Sequence, residues 1–135
     1  MVAAAHHGAT ALWLACERGS LEVARVLVAQ HANVDAAAGA QRVPVLHAAL
    51  HGGDEAIVRC LLAAGVDLHA ADASGRTAVH VACERNQAQL LDVLLDAGAD
   101  ASLPLAGSAR TPLMIACEHD SVSCVRCVCV DVMGG

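Results

Sequence analysis

Four stretches of this chain share one pattern, and that repetition limits the fold more than any other feature of the sequence. Thr10-Ala-Leu-Trp-Leu-Ala-Cys16, Pro44-Val-Leu-His-Ala-Ala-Leu50, Thr77-Ala-Val-His-Val-Ala-Cys83 and Thr111-Pro-Leu-Met-Ile-Ala-Cys117 begin at intervals of 34, 33 and 34 residues. A period in this range marks a solenoid, because one such unit is too small to bury its own apolar face and must stack on its neighbours. The register holds along the whole unit. Gly19, Gly53, Asn86 and Asp120 fall at one equivalent position, and each is a residue type that tolerates left-handed backbone at a helix C-terminus. Val23, Ile57, Leu90 and Cys124 follow four residues later as apolar anchors. The runs from Ile57 to Leu62 and from Leu90 to Leu95 then place apolar side chains at i, i+1, i+4 and i+5, the stripe of one helix. Three units close with a turn signature at His31 to Asp35, Gly65 to His69 and Gly98 to Ser102; the fourth has none.

Each unit therefore reads as a short inner helix, a turn and a longer outer helix, an all-α architecture of stacked helix-turn-helix units. Thr77 and Thr111 suit the N-cap of the inner helix, and Pro112 suits its first position. These residues resemble the ankyrin repeat, whose consensus runs G-x-T-P-L-H-x-A-A, G-x-x-x-I-V-x-x-L-L and G-A-D-x-N. The segment from Gly75-Arg-Thr-Ala-Val-His80 to Gly98-Ala-Asp100 matches it best. The resemblance spans roughly residues 8–131. It implies a single ankyrin-repeat domain over residues 1–135, with repeats at approximately 8–40, 41–74, 75–107 and 108–135, the last incomplete. It also implies structural roles for Thr10, His47, Thr77, His80 and Thr111, with His47 and His80 bonding backbone to steady the turn between repeats. The connections 36–43, 70–76 and 103–110 become projecting hairpin-like fingers. Departures are local: Trp13 and Met114 stand at the motif histidine, Pro44-Val45 replaces Thr-Pro, and His31 precedes Ala32-Asn33 where Gly is expected.

Composition agrees. Of the 135 residues 56% are apolar, with mean hydropathy +0.52, yet there is one Trp and no Phe or Tyr. Small side chains must fill the core, which suits closely stacked helix pairs. The N-terminus lacks a basic region followed by an apolar run, and no stretch reaches the length of a membrane span. These features predict a soluble, non-secreted chain of the cytoplasm or nucleus that contacts no membrane. Net charge −6, with eight basic residues scattered over four units, argues against nucleic acid.

Seven cysteines raise disulfides, metal and redox chemistry. All seven take positions that are apolar in other units, so the expectation is a core role as small hydrophobes. Stacked helices lie about 8–10 Å apart, too far for Cys83 and Cys117 to bridge, since a disulfide needs Cα atoms within about 7 Å. A zinc or redox site from His119, Cys124, Cys127 and Cys129 has suitable ligand types, but no second C-x-x-C pair exists. His47 and His51 have i, i+4 metal-ligand spacing, but no Glu follows His47. No phosphate loop or nucleophile elbow occurs, and Asp54, Glu55, Asp92 and Asp96 fall on solvent-facing outer-helix positions. No enzyme activity, metal or cofactor is expected.

A polar pair recurs just before each inter-helix turn: Glu17-Arg18, His51-Gly52, Glu84-Arg85 and Glu118-His119. Stacking aligns these pairs into a stripe. The ankyrin resemblance places that stripe on the concave face which, with the finger tips, binds partners. The candidate contacts are therefore Glu17, Arg18, His51, Glu84, Arg85, Glu118 and His119, with Arg76 and Arg110 on the fingers, and the partner is another protein. Helix solvation and a favourable charge at the helix C-terminus account for Arg18 and Arg85 without any partner. Two other functions are carried: substrate recognition for a ubiquitin ligase, because the Cys- and Ala-rich repeats look like those combined with a suppressor-of-cytokine-signalling box, though no box is present; and zinc or redox sensing by the C-terminal thiols. The fourth outer helix, Val122 to Met133, is apolar on nearly every side, and the first unit starts almost at Met1. Both ends read as cut from a longer array, with exposed apolar edges.

Overall fold

Two left-handed turns per repeat set the chain path. A computed structural model describes residues 10–39, 41–105 and 107–134, with side chains through Cys129. The inner helices are α1 (Ala11–Arg18), α3 (Val45–Gly52), α5 (Ala78–Glu84) and α7 (Pro112–Glu118). The outer helices are α2 (Leu21–Ala29), α4 (Glu55–Ala63), α6 (Ala88–Asp96) and α8 (Val122–Gly134). Gly19, Gly53, Asn86 and Asp120 end the inner helices at φ +73°, +77°, +57° and +54°. The four residues at this equivalent position thus share one backbone conformation. His31, Gly65 and Gly98, at φ +65°, +86° and +104°, do the same after the first three outer helices.

Side chains at fixed repeat positions satisfy the helix ends. Thr10 Oγ1 accepts from Trp13 N at 3.1 Å, and Thr111 Oγ1 from Met114 N at 3.4 Å. Such N-caps contribute about 1 kcal/mol each. In the third repeat Thr77 and His80 form a capping box, in which Thr77 N donates to His80 Nδ1 at 3.0 Å and Thr77 Oγ1 lies 2.9 Å from the same nitrogen. Asp54 caps α4 by accepting from Ala56 N at 2.9 Å. The equivalent residues in the next two repeats reach back across the interface. Gln87 Nε2 donates to Leu50 O at 2.6 Å and Ser121 Oγ donates to Cys83 O at 3.2 Å. A second ladder joins the closing turns, where Asp67 N donates to Asp35 Oδ1 at 2.8 Å and Asp100 N to His69 Nε2 at 3.3 Å.

Inner helices stack α1, α3, α5, α7 and outer helices α2, α4, α6, α8, each against the next. Ile57, Val58, Leu61, Leu91 and Leu94 are fully buried between the layers, as the i, i+1, i+4, i+5 stripe requires. Between the first two repeats the finger is a true hairpin. Its strands β1 (Ala37–Ala38) and β2 (Val43–Pro44) run antiparallel, with Ala37 opposite Pro44 and Ala38 opposite Val43. The next two fingers close without strands, through Asp72 N to Arg76 O at 3.1 Å and Leu105 N to Arg110 O at 2.8 Å.

Three expectations need correction. The seven cysteines do not all lie in the core: Cys16, Cys83 and Cys124 are buried, Cys60, Cys127 and Cys129 are partly exposed, and Cys117 is exposed. Cys117 shares a slot with Cys83 but has no inner helix stacked beyond it among the described residues. Val23 is not a core anchor like Ile57 and Leu90, because no described helix precedes α2 to cover it; Ala24 is the buried residue there. His47 does not make the expected backbone bond. Its Nε2, like that of His80, is buried with no partner at hydrogen-bonding geometry, and Pro44 lacks the N–H that Thr77 gives His80. The fourth outer helix packs one face on the third repeat, with Cys124 and Val128 buried and the Cys124 thiol donating to Ala82 O at 3.7 Å, while Val122 is exposed. The Ala-rich start and the apolar tail beyond Cys129 fall on residues 1–9 and on side chains outside the described residues.

Candidate functional site

Glu17, His51 and Glu84 stand at one repeat position on α1, α3 and α5, and the stacking of those helices brings all three to the wall of one open cleft of about 280 Å³. Trp13 and His47, one turn earlier, line it as well, together with Ala48, Val81 and Arg85. The fingers add Val43, Asp72 and Arg76. Of the residues expected to bind a partner, Glu17, His51, Glu84, Arg85 and Arg76 are thereby brought together. Arg18, Glu118, His119 and Arg110 are exposed outside this cleft. Arg110 pairs with Glu118, and His119 Nδ1 lies 3.1 Å from Ile115 O.

Ion pairs divide the stripe in a way that the sequence did not suggest. Arg76 Nη1 donates to Glu84 Oε1 at 2.6 Å, and its Nε donates to Asp72 Oδ2 at 3.2 Å. Asp72, almost fully buried, also accepts from Ser74 N at 2.9 Å and Arg76 N at 3.1 Å. This arrangement fixes the second finger against α5. Arg110 and Glu118 repeat the pairing one unit later, eight residues apart in both cases. In the first two units the equivalent partner is missing, because Ala9 precedes Glu17 by eight residues and Val43 precedes His51 by eight. Among the described residues Glu17 has no ion-pair partner.

Trp13 and Asp72 are among the cleft residues that sequence reasoning missed. Trp13 takes the motif-histidine position, and its indole N–H donates to Val43 O of the following unit at 2.8 Å. The larger ring reaches a carbonyl further along the finger than an imidazole would. That the chain's one aromatic residue stands at a repeat position normally filled by histidine was the available signal. Asp72 gave none, being one loop carboxylate among several.

Burial sets the protonation of the groups behind the cleft. It pushes the His47 imidazole down to about 4, against the opposing pull of the Asp72 carboxylate and the nearby Ala70 carbonyl. His80 is lowered for the same reason, with the Leu103 carbonyl opposing. Both rings are neutral at pH 7. Burial likewise pushes the Cys16 and Cys83 thiols up to about 12 and Cys127 up to about 11, and raises Cys124. Metal ligation and thiol exchange both need thiolate. Among the described residues no three His, Cys, Asp or Glu side chains converge on a metal-sized site. Nor, among them, is any helix long and apolar enough to cross a membrane.

Comparison with known proteins gives the same architecture. Ankyrin repeats (3 copies) match residues 2–72 and 45–133, and only ankyrin repeats are matched, with no catalytic domain. Tyrosine-protein kinase HTK16 of Hydra vulgaris is 34% identical over 123 residues, 87% of this chain and 16% of that protein. B-cell lymphoma 3 protein homolog of Mus musculus is 33% identical over 122 residues, 90% of this chain and 27% of its own length. Ankyrin repeat and SOCS box protein 16 of Homo sapiens is 33% identical over 105 residues, 78% of this chain and 23% of that protein. The chain thus spans 27% or less of each of these relatives. Paired helices, left-handed turns and fingers recur here at the period those repeats require, and the chain belongs to the ankyrin repeat family.

Proposed function

We propose that this chain is a protein-binding module that seats its partner across the inner-helix cleft and the adjoining fingers. One observation carries the reading. Glu17, His51 and Glu84, at a position the fold does not need for its core, are gathered with Trp13, Arg76 and Arg85 into one open, mixed-charge depression. Core-forming side chains lie behind it. Ankyrin repeats generally mediate protein interaction, which supports the same reading. The test is partner capture by the chain with Glu84 and Arg85 both replaced by Ala. Capture should weaken while the melting temperature stays nearly unchanged. Capture that persists there but disappears on changing Arg110 and Arg18 would move the site to the fingers and the helix ends.

A finer reading is substrate selection for a ubiquitin ligase, and its support is the 33% identity with ankyrin repeat and SOCS box protein 16. Its test is whether a captured partner is ubiquitylated faster in cells that overproduce this protein. Unchanged ubiquitylation would leave the general binding role alone.

A further inference from the structure

Within the cleft the unpaired charges are unevenly supported. Arg76 is held by Asp72 and Glu84, so among the described residues Glu17 is the free anion of the lining and Arg85 the free cation. Arg85 is exposed, whereas Glu17 is half-buried, so solvent screens the Glu17 carboxylate less. Trp13 stands four residues before Glu17 on α1, which places the two on one helix face. The bond from its indole N–H to Val43 O fixes the ring. A fixed aromatic ring, an unpaired carboxylate one turn away and a depression of about 280 Å³ before them match one side chain above others. A guanidinium is planar, stacks on indole and donates two parallel hydrogen bonds to a carboxylate.

We propose that the first-repeat end of the cleft, formed by Trp13 and Glu17, accepts an arginine side chain from the partner, and that the partner segment is therefore an arginine-bearing peptide. The proposal rests on the protein-binding reading and specifies the chemistry of its partner. Lysine fits less well, because its ammonium offers a compact charge with no flat face to lay on Trp13. Repeats two and three differ at these positions. His51 and the buried His47 replace the carboxylate and the indole in one, and Glu84 is taken by Arg76 in the other. One arginine, not a series, is the expected anchor.

The test uses a random heptapeptide library displayed on phage, panned on the whole chain, on Glu17→Gln and on Glu17→Lys. Synthetic copies of the selected peptides are then titrated against the fluorescence of Trp13, the only tryptophan in the chain. Selected peptides should share an arginine. Replacing that arginine by citrulline, equal in shape but uncharged, should weaken binding about tenfold, the usual scale for one charge-assisted contact. Glu17→Gln should show the same loss with its melting temperature unchanged, and Glu17→Lys should select no arginine. Trp13 fluorescence should change on saturation with the arginine peptide. Peptides that bind without any arginine, or that bind Glu17→Lys equally, overturn this assignment and leave the protein-binding reading standing. Failure to select any peptide whose binding responds to changes at Glu17, Glu84 or Arg85 overturns both.

Discussion

The second and third repeats and the outermost two use the same residue positions, but only the middle pair has neighbours on both sides among the described residues. Ile57 and Leu90 are buried, whereas Val23 at the equivalent position is 50% exposed. His47 and His80 are buried at the motif-histidine position, where Met114 is 50% exposed. Cys83 is buried and Cys117 is not. In a solenoid the burial of a position is therefore a property of the interface between units, not of the unit that carries it. Substitutions at equivalent positions should have unequal effects, and the inequality can be measured.

The largest effect is expected at Leu94, fully buried in α6 between the third repeat's neighbours. Leu94→Ala should lower unfolding free energy by about 2–5 kcal/mol in urea titration, the usual range for a buried leucine. A loss below about 0.5 kcal/mol, the scale of surface changes, would show that α6 is not clamped between α4 and α8.

A pH effect of similar size should come from His47. Its folded pKa of about 4 lies below the unfolded value of 6.5. Between those values the unfolded chain binds a proton that the folded chain refuses, so stability falls as pH drops through this window and levels off below it. At about 1.4 kcal/mol per pKa unit the full loss is about 3 kcal/mol. Burial lowers His80 as well, so the informative quantity is a difference. His47→Leu should lose about 3 kcal/mol less than the unaltered chain between pH 7 and pH 4. Parallel stability curves for the two would mean that the His47 ring is hydrated or charged in the folded state.

Much of this architecture was legible from the sequence because it depends on residues that act locally. The left-handed turns at Gly19, Gly53, Asn86 and Asp120, the capping box at Thr77 and the cap at Thr111 follow from residue type within a few positions. What was not legible depends on the neighbouring unit. Val23 reads as an anchor because its register is right, and nothing local reports that no described helix covers it. The same blindness applied to the candidate site. Its stripe was visible as a repeated polar pair, but the pairing of Glu84 with Arg76 and of Glu118 with Arg110 spans eight residues and needs the finger to fold back. Only the folded chain separates the occupied carboxylates from Glu17.

Two adjacent glycines give a smaller and sharper contrast. Gly52 lies at the end of α3, and a Cβ there would collide with the Cys16 carbonyl and lie 3.1 Å from Glu17 O, both backbone atoms of the first repeat. Gly53 has open space around it but sits at φ +77°. Gly52→Ala should cost about 1–3 kcal/mol through steric overlap at the interface, and Gly53→Ala about 1 kcal/mol through left-handed backbone alone. Equal costs would mean that α1 and α3 can separate to admit a methyl group.

The smallest effect is expected at the exposed first-repeat edge. Val23 and Val26 are 50% and 60% exposed, although their counterparts Ile57 and Leu90, and Cys60 and Val93, face a preceding outer helix. Ile57 and Leu90 are buried, so truncating either should cost well over 1 kcal/mol. Replacing Val23 and Val26 together by Ser should change unfolding free energy by less than about 0.5 kcal/mol, as for surface substitutions. It should also reduce self-association at high concentration, since it removes adjacent exposed apolar side chains. Sedimentation and urea titration on the same sample read both quantities. A loss as large as that of Leu94→Ala would show that the α2 face is covered in solution as the α4 face is, and the contrast between middle and outer repeats would then fail at its first-repeat end.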